Sequence, residues 1–110
     1  MMKVLFYRTQ SGRSPVREFI DNLPLSDQVR FGEVIDELLT AGLEAARLIL
    51  KPIEGKLWEV KFKSVGGSYR VLYVLISKNE MVWLHAFKKK TQKTPKKEIE
   101  LALSRMKEIL

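Results

Sequence analysis

Three short apolar segments in the second half of the chain constrain the fold most strongly, because they have the composition and the period of β-strands. In the first, Trp58, Val60 and Phe62 alternate with charged residues, which predicts a strand that is buried on one face. The second, residues 69–76, and the third, residues 81–87, are rich in β-branched and aromatic side chains. Short polar loops join the segments, so we expect an antiparallel three-stranded meander.

The first half of the chain predicts one strand and two helices. Residues 3–7 form a short apolar run, which is typical of an edge strand. A serine and a proline at positions 14 and 15 suit the N-cap and first position of a short helix, which we expect to stop by Pro24. A longer helix is predicted from residue 26 to Gly42, with an apolar stripe that begins at Val29.

The segment after Pro95 predicts a closing helix, because its apolar residues recur at spacings of four, three and four. These positions are Ile99, Leu103, Met106 and Leu110. A chain of 110 residues, 45% apolar and 30% charged, is expected to form a single domain over residues 1–110. The predicted fold is α+β with the element order β-α-α-β-β-β-α, in which two N-terminal helices and a C-terminal helix pack on a small antiparallel sheet.

Positive charge is concentrated in the second half of the chain. Residues 1–49 carry 6 basic and 7 acidic groups, whereas residues 50–110 carry 14 and 6. The densest part is residues 88–97, which contain six lysines and are called the lysine segment below. A hairpin would bring Arg70 close to it. This asymmetry indicates a surface that binds a polyanion such as nucleic acid, although lysines can also serve only to solubilise a surface.

The composition excludes several classes of protein. Cysteine is absent, so disulfides, thiolate zinc sites and a cysteine nucleophile are excluded, and the chain fits a reducing compartment. No run approaches the roughly 20 apolar residues of a membrane span, and the N-terminus lacks the pattern of a signal peptide. We therefore expect a cytoplasmic protein that does not associate with membranes.

No metal or other cofactor is predicted. The chain has one histidine, His85, so paired-histidine chemistry is excluded. Glu33, Asp36 and Glu37 share a predicted helix face with Arg30, which indicates a solvated, charge-paired surface. Metal-assisted cleavage of a phosphodiester needs clustered carboxylates or histidines, and the sequence does not indicate such a cluster.

Four stretches of the chain resemble a known family: GKLWEVKF, YRVLY, VWLHAFKKKTQKTP and the closing EIELALSRM. They resemble the HigB-like, phage-derived branch of the RelE/ParE toxin superfamily, and the most specific stretch is the strand that ends in FKKKTQKTP before a helix. The resemblance implies a RelE-like fold and the toxin of a type II toxin–antitoxin pair, typically a ribosome-dependent endoribonuclease that cleaves messenger RNA in the A site. The implied partners are messenger RNA on the ribosome and a small cognate antitoxin with a helix-turn-helix domain.

RNA can be cleaved without a metal, because its own 2′-hydroxyl can attack the adjacent phosphate when proton transfer and charge stabilisation are provided. Arg70 is the candidate for charge stabilisation, since a guanidinium can hold two phosphate oxygens and the resemblance implies a functional arginine at this YR position. Lys61, Lys89 and Lys90 match basic residues that relatives place near the scissile phosphate. Glu59, by contrast, stands where some relatives carry a basic residue.

The remaining candidates are predicted to bind RNA or to transfer protons. Tyr69 and Tyr73 share a strand face, where they could stack on a base or transfer a proton, or instead pack in the core. His85 titrates near neutrality, but strict alternation puts it on the face of Trp83 and Phe87, which favours a half-buried structural role over proton transfer. Basic residues predicted to bind flanking phosphates are Lys56, Lys63, Lys88, Lys93, Lys96 and Lys97.

Two other functions remain open at this point. The ParE branch of the same superfamily inhibits DNA gyrase without cutting RNA, so the resemblance in fold does not decide between the two activities. A basic surface could also bind RNA or the ribosome without catalysis. The presence of Lys61, Arg70 and the lysine segment favours the nuclease.

Overall fold

The computed structural model describes residues 2–45 and 48–110, which form a five-stranded sheet with helices on both faces. The strands are β1 (Lys3–Phe6), β2 (Ile49–Glu54), β3 (Leu57–Ser64), β4 (Gly67–Ser77) and β5 (Glu80–Lys88). The helices are α1 (Pro15–Asp21), α2 (Leu25–Ala41) and α3 (Lys96–Ile109), and a short 3-10 turn covers Gly42–Glu44. The strand order is β1-β5-β4-β3-β2, in which β1 runs parallel to β5 and the other neighbours pair antiparallel.

Local sequence signals account for the two N-terminal helices. The Ser14 hydroxyl accepts the backbone N–H of Arg17 at 3.4 Å, and Pro15 is the first residue of α1. Gly42 follows the last residue of α2 with a φ of 60°, a left-handed conformation that favours glycine. Both helices, the antiparallel meander β3-β4-β5 and the edge position of β1 are confirmed.

Strand β2 was not predicted, and the expected element order is therefore one strand short. This strand pairs only with β3 and forms the outer edge of the sheet. Four of its six residues are exposed, and it contains Pro52, which lacks the N–H that a central strand would use. An edge strand of this kind has neither the apolar alternation nor the continuous apolar run that predicts a strand from sequence.

A core rich in aromatic side chains lies between the sheet and helices α1 and α2. Phe31 of α2 is at its centre, with ring centroids 4.9 Å from Phe62, 5.2 Å from Tyr69 and 6.3 Å from Trp83. All four side chains are buried. This core fixes the two helices on one face of β3, β4 and β5.

Helix α3 covers the opposite face of the sheet and forms a second core. Its buried residue Ala102 packs with Leu57, Leu72 and Leu84 of the strands. The prediction that β3 is buried on one face only is wrong, because α3 shields the face that carries the charged residues. Trp58, which was expected to be buried, is 38% exposed instead.

The register between β4 and β5 shifts between Leu72 and Tyr73 and again between Leu75 and Ser77, and the first shift alters which way His85 points. Leu72 pairs with His85 and the next residue, Tyr73, pairs with Trp83, so Leu84 has no partner. Such a bulge shifts the alternation of side chains by one residue. Trp83 therefore faces α1 and α2, whereas His85 stacks on Phe87 on the side of α3. The prediction that His85 shares a face with Trp83 is wrong for this reason.

Two other predicted core positions lie at the surface. Val29 of α2 is 55% exposed, because the buried stripe of the helix runs through Phe31, Val34 and Leu38 instead. Leu110 lies just beyond α3 and is 57% exposed. Within the described ranges 2–45 and 48–110, the helices are too short or too polar to cross a lipid bilayer.

Candidate functional site

The lysine segment crosses one end of the sheet, between the last residue of β5 and the start of α3. Its central part, residues 89–95, is called the β5–α3 loop here. The backbone N–H of Lys89 donates to the Ser68 carbonyl at 2.7 Å and extends the β4–β5 ladder by one bond. The loop is thus attached to the sheet at its beginning and to α3 at its end.

Arg70 is buried beneath this loop and hydrogen-bonds to it. Its Nη1 donates to the Thr94 hydroxyl at 2.8 Å, and its Nη2 donates to the carbonyls of Gln92 at 2.7 Å and Thr91 at 3.1 Å. The side chain is 1% exposed. The expectation of a guanidinium free to hold two phosphate oxygens is therefore wrong in this structure, because its two terminal nitrogens donate to the protein's own loop.

Glu59 is the buried partner of Arg70. Its Oε1 lies 3.7 Å from Nε of Arg70, which is within the range of an ion pair but too long for a hydrogen bond. Its Oε2 accepts the hydroxyl proton of Thr94. The side chain of Glu59 is fully buried, and a buried carboxylate needs a paired charge. Glu59 thus belongs to a network with Arg70 and Thr94.

The β5–α3 loop and the end of the sheet enclose a basic cleft of about 330 Å³, called the first cleft. Five of its lining residues are lysines, and the acidic residue among them is Glu98. The lining residues are Arg70, Phe87, Lys88, Lys89, Lys90, Thr91, Lys93, Pro95, Lys97 and Glu98. The first cleft thus brings together predicted site residues from β4, from β5, from the loop and from α3.

A second cleft of about 320 Å³ lies on the other side of Lys89. It combines basic side chains with the apolar surface of Ile49 and Phe62. Its lining residues are Arg30, Ile49, Lys61, Phe62, Lys63, Ser68 and Lys89. Because Lys89 lines both clefts, the two basic surfaces are continuous.

Lys89, which lines both clefts, has a pKa that its surroundings shift. Partial desolvation, followed by the positive charges of Lys61 and Arg70, lowers the pKa of the Lys89 amine. A lysine with a lowered pKa has a larger neutral fraction, which can accept a proton. The geometry therefore supplies a basic group and a neighbouring cation in one place.

Arg30 was not recognised as a site residue from the sequence. Its Nη1 lies 3.5 Å from both Glu33 and Glu37, as the charge-paired helix face predicted. In addition, its Nε donates to the Lys63 carbonyl at 3.0 Å, and its guanidinium lies 5.7 Å from the ring centroid of Phe62. The sequence has no signal for this contact, because Arg30 and Lys63 are 33 residues apart in the chain.

Two predicted RNA-binding lysines do not line either cleft. Lys56 lies in the turn between β2 and β3, at the far end of β3 from Lys61. Lys96 begins α3, and its amine lies 3.8 Å from Glu100. The structure thus separates Lys56 from the site and leaves Lys96 at its margin.

The two tyrosines are part of the core rather than of the basic surface. Tyr69 and Tyr73 are each 1% exposed, and the Tyr69 hydroxyl donates to Asp27 at 2.8 Å. Burial raises the pKa of the Tyr73 hydroxyl to about 12, and burial together with Asp27 raises that of the Tyr69 hydroxyl to about 12. The predictions of base stacking by Tyr73 and proton transfer by Tyr69 are corrected by this burial in favour of the core alternative.

His85 lies behind the first cleft, between β5 and α3. Its Nε2 is 3.2 Å from Oε1 of Glu98, and its Nδ1 is 3.5 Å from Nη1 of Arg105. Burial lowers the pKa of His85, and Glu98 opposes this only in part. Its contacts are those of the half-buried structural histidine that the sequence favoured.

Comparison with known proteins relates this arrangement to a family. The model of the phage-derived Gp49-like proteins (DUF891) matches residues 18–107, which span the chain from α1 to α3 and include both clefts. The chain belongs to the phage-derived Gp49-like family. This match supports the phage-derived part of the HigB-like resemblance.

Two curated relatives of this Gp49-like chain come from Mycobacterium tuberculosis, strains CDC 1551 / Oshkosh and ATCC 25618 / H37Rv. Both are named "Probable endoribonuclease HigB1". Each is 34% identical over 105 residues, which cover 93% of this chain and 80% of the relative. The similarity therefore extends over almost the whole Gp49-like domain.

Among residues 2–45 and 48–110, the structure brings no three histidine, aspartate or glutamate side chains together in a way that could hold a metal ion. The first cleft of the Gp49-like domain instead presents amines and a single carboxylate among its described lining residues. Such a surface suits phosphate groups.

Proposed function

We propose that this Gp49-like protein is the toxin of a type II toxin–antitoxin pair and acts in the cytoplasm as a ribosome-dependent endoribonuclease on messenger RNA. The observation that carries the proposal is the meeting of two basic clefts at Lys89, beside Lys61. The names of the mycobacterial relatives support the activity, and the HigB-like resemblance supports the toxin role.

The chemistry that we propose uses the RNA 2′-hydroxyl and needs no metal. The 2′ oxygen attacks the adjacent phosphorus and gives its proton to the neutral amine of Lys89, whose pKa is lowered. The bond from phosphorus to the 5′ oxygen then breaks, and the Lys61 ammonium protonates that oxygen. The products are a 2′,3′-cyclic phosphate and a free 5′-hydroxyl.

The remaining basic residues are proposed to hold the RNA. Lys90 stabilises the negative charge that develops on the phosphate, while Lys63, Lys88, Lys93 and Lys97 bind flanking phosphates along the two clefts. Positioning of the message by the ribosome supplies part of the rate. A cognate antitoxin with a helix-turn-helix domain would neutralise the protein.

The test is induced expression in cells that lack the antitoxin, with growth followed and the 5′ ends of translated messages mapped. We expect growth arrest and new cuts inside reading frames for the wild type, and loss of both in a Lys61→Ala/Lys89→Ala variant. Lys78→Ala is the control for a lysine outside both clefts, because Lys78 lies in the β4–β5 turn at the far end of the hairpin. Arrest without cuts would contradict the nuclease, and inhibited DNA supercoiling in the same cells would indicate gyrase as the target.

A further inference from the structure

We propose that Glu59, Arg70 and Thr94 form a buried unit that fixes the β5–α3 loop in the shape that binds phosphate, so that Arg70 acts on RNA through the loop and not by contact. These three are positioning residues. The catalytic part of this inference rests on the proposed function, whereas its structural part can be tested without it.

The contacts of Arg70 point to the loop rather than to solvent. Both terminal nitrogens of the guanidinium donate to loop groups, at 2.7 to 3.1 Å, and the side chain is 1% exposed. The planar guanidinium presents its donors in a fixed geometry, so it constrains the directions of the Thr91 and Gln92 carbonyls as well as their distance. An arginine used in this way determines the course of the backbone between Lys90 and Lys93.

Thr94 connects the two charges. Its hydroxyl oxygen accepts a hydrogen bond from Nη1 of Arg70, and its hydroxyl group donates one to Oε2 of Glu59. The single hydroxyl proton therefore points towards Glu59. A hydroxyl that accepts from a cation and donates to an anion makes two charge-assisted hydrogen bonds, which are stronger than bonds between neutral groups. Thr94 thus ties the end of the loop to two strands at once.

Glu59 is difficult to explain by RNA binding alone. A carboxylate beneath a surface of lysines weakens the attraction of that surface for phosphate. Its position is explained if it is needed to hold Arg70 and Thr94, because a buried guanidinium without a counter-charge would be costly. The lysines of the loop repel one another, so their close spacing needs an anchor of this kind.

The most discriminating test uses Glu59→Gln, because the change in net charge and the loss of positioning predict opposite changes in RNA affinity. This change raises the net charge by one, and charge alone would therefore tighten binding to RNA. Positioning predicts weaker binding of a labelled single-stranded RNA oligonucleotide, severalfold by fluorescence anisotropy. It also predicts a fall in kcat for cleavage of ribosome-bound message by about tenfold or more, as small displacements of catalytic groups produce.

Glu100→Gln is the matched control for this experiment. It makes the same change of charge on an exposed residue of α3 that lies outside both clefts. We expect it to leave kcat unchanged and to tighten RNA binding slightly. If Glu59→Gln behaves like Glu100→Gln, with wild-type kcat and equal or tighter binding, the positioning role is wrong.

A second pair of variants separates positioning from a loss of folding. Thr94→Val removes the hydroxyl at nearly constant volume and is expected to lower kcat, whereas Thr94→Ser keeps the hydroxyl and is expected to restore most of it. Arg70→Lys keeps the charge but loses the planar arrangement of donors, so it should behave like Thr94→Val. Full activity of folded Arg70→Lys or Thr94→Val, as judged by circular dichroism, would overturn the proposal.

Limited trypsin digestion gives a readout that does not depend on nuclease activity. Cleavage after Lys90 is expected to be slow in the wild type and in Thr94→Ser, and several times faster in Thr94→Val. If the wild type cuts no RNA but this difference is found, the proposed function fails and the anchoring role stands. Equal digestion of Thr94→Val and wild type would contradict the anchoring role itself.

Discussion

His85 and Glu98 join β5 to the first turn of α3, with Nε2 of the histidine 3.2 Å from Oε1 of the glutamate. On the other side of the imidazole ring, Nη1 of Arg105 lies 3.5 Å from Nδ1 of His85. The same nitrogen donates to the Leu84 carbonyl at 2.8 Å. Phe87 stacks on the imidazole with a centroid distance of 5.5 Å. The histidine thus lies between an anion and a cation in a half-buried position behind the first cleft.

We predict that His85 makes folding sensitive to pH just below neutrality. Burial lowers its pKa in the folded protein below the unfolded value of about 6.5, so protons bind preferentially to the unfolded chain. Its contribution to stability is therefore complete above pH 6.5 and is lost as the pH falls through the folded pKa. One group of this kind gives a slope of at most about 1.4 kcal/mol per pH unit.

Urea unfolding between pH 5 and 8 measures this effect. The free energy of unfolding of the wild type should fall towards pH 5, and His85→Gln should remove that part of the slope, since glutamine does not titrate. An identical slope in the two proteins would show that another group is responsible.

Asp27 gives a second prediction, at lower pH. Its buried carboxylate accepts the hydroxyl of Ser64, the backbone N–H of Gly66 at 2.9 Å and the hydroxyl of Tyr69 at 2.8 Å. These hydrogen bonds lower the pKa of Asp27, and the bond from Ser64 has the largest effect. A lowered carboxyl pKa stabilises the fold above the unfolded value of about 3.9, and this contribution is lost as the pH falls through the folded value.

Acid unfolding, followed by circular dichroism from pH 5 to 2, tests the role of Asp27. Asp27→Asn should be less stable than the wild type at pH 5 and should lose less stability on acidification. Asp36→Asn is the control, because Asp36 is exposed on the same helix. A parallel loss of stability in wild type and Asp27→Asn would contradict the assignment.

The ends of the two N-terminal helices depend on local signals, whereas the orientation of His85 does not. The cap at Ser14 and the glycine at position 42 act within one turn of chain, so the ends of α1 and α2 could be predicted closely. The orientation of His85 could not, because it depends on a bulge opposite Leu72 in the neighbouring strand. Alternation within one strand contains no information about such a bulge.

The candidate site likewise has residues that could be predicted from the sequence and residues whose burial could not. The clustering of lysines is a property of the sequence, and the predicted positions Lys61, Lys89 and Lys90 do line the two clefts. The burial of Arg70 was missed because it depends on α3 and on the β5–α3 loop, which fold over the end of the sheet from far along the chain. The buried carboxylate of Glu59 was missed for the same reason.

Helix α2 offers a third prediction, on stability. Leu38 is fully buried and packs in the core beneath the sheet, so Leu38→Ala should lower the free energy of unfolding by about 2–5 kcal/mol. Val29 lies on the same helix but is 55% exposed, and Val29→Ala should change it by no more than about 0.5 kcal/mol. Equal losses in urea unfolding would mean that Val29 packs in the core, as the sequence had suggested.

The salt dependence of RNA binding tests whether the two clefts contact phosphate. For single-stranded nucleic acid, each phosphate contact contributes about −0.7 to the slope of the logarithm of the binding constant against the logarithm of salt concentration. Lys61→Ala and Lys93→Ala should each reduce the magnitude of this slope by about 0.7 and weaken binding at low salt, because each removes one positive charge from the joined clefts. Lys78→Ala removes the same charge from the far end of the β4–β5 hairpin and should leave the slope unchanged. If all three variants change the slope equally, binding depends on the total charge of the protein, and the clefts are not the site of contact.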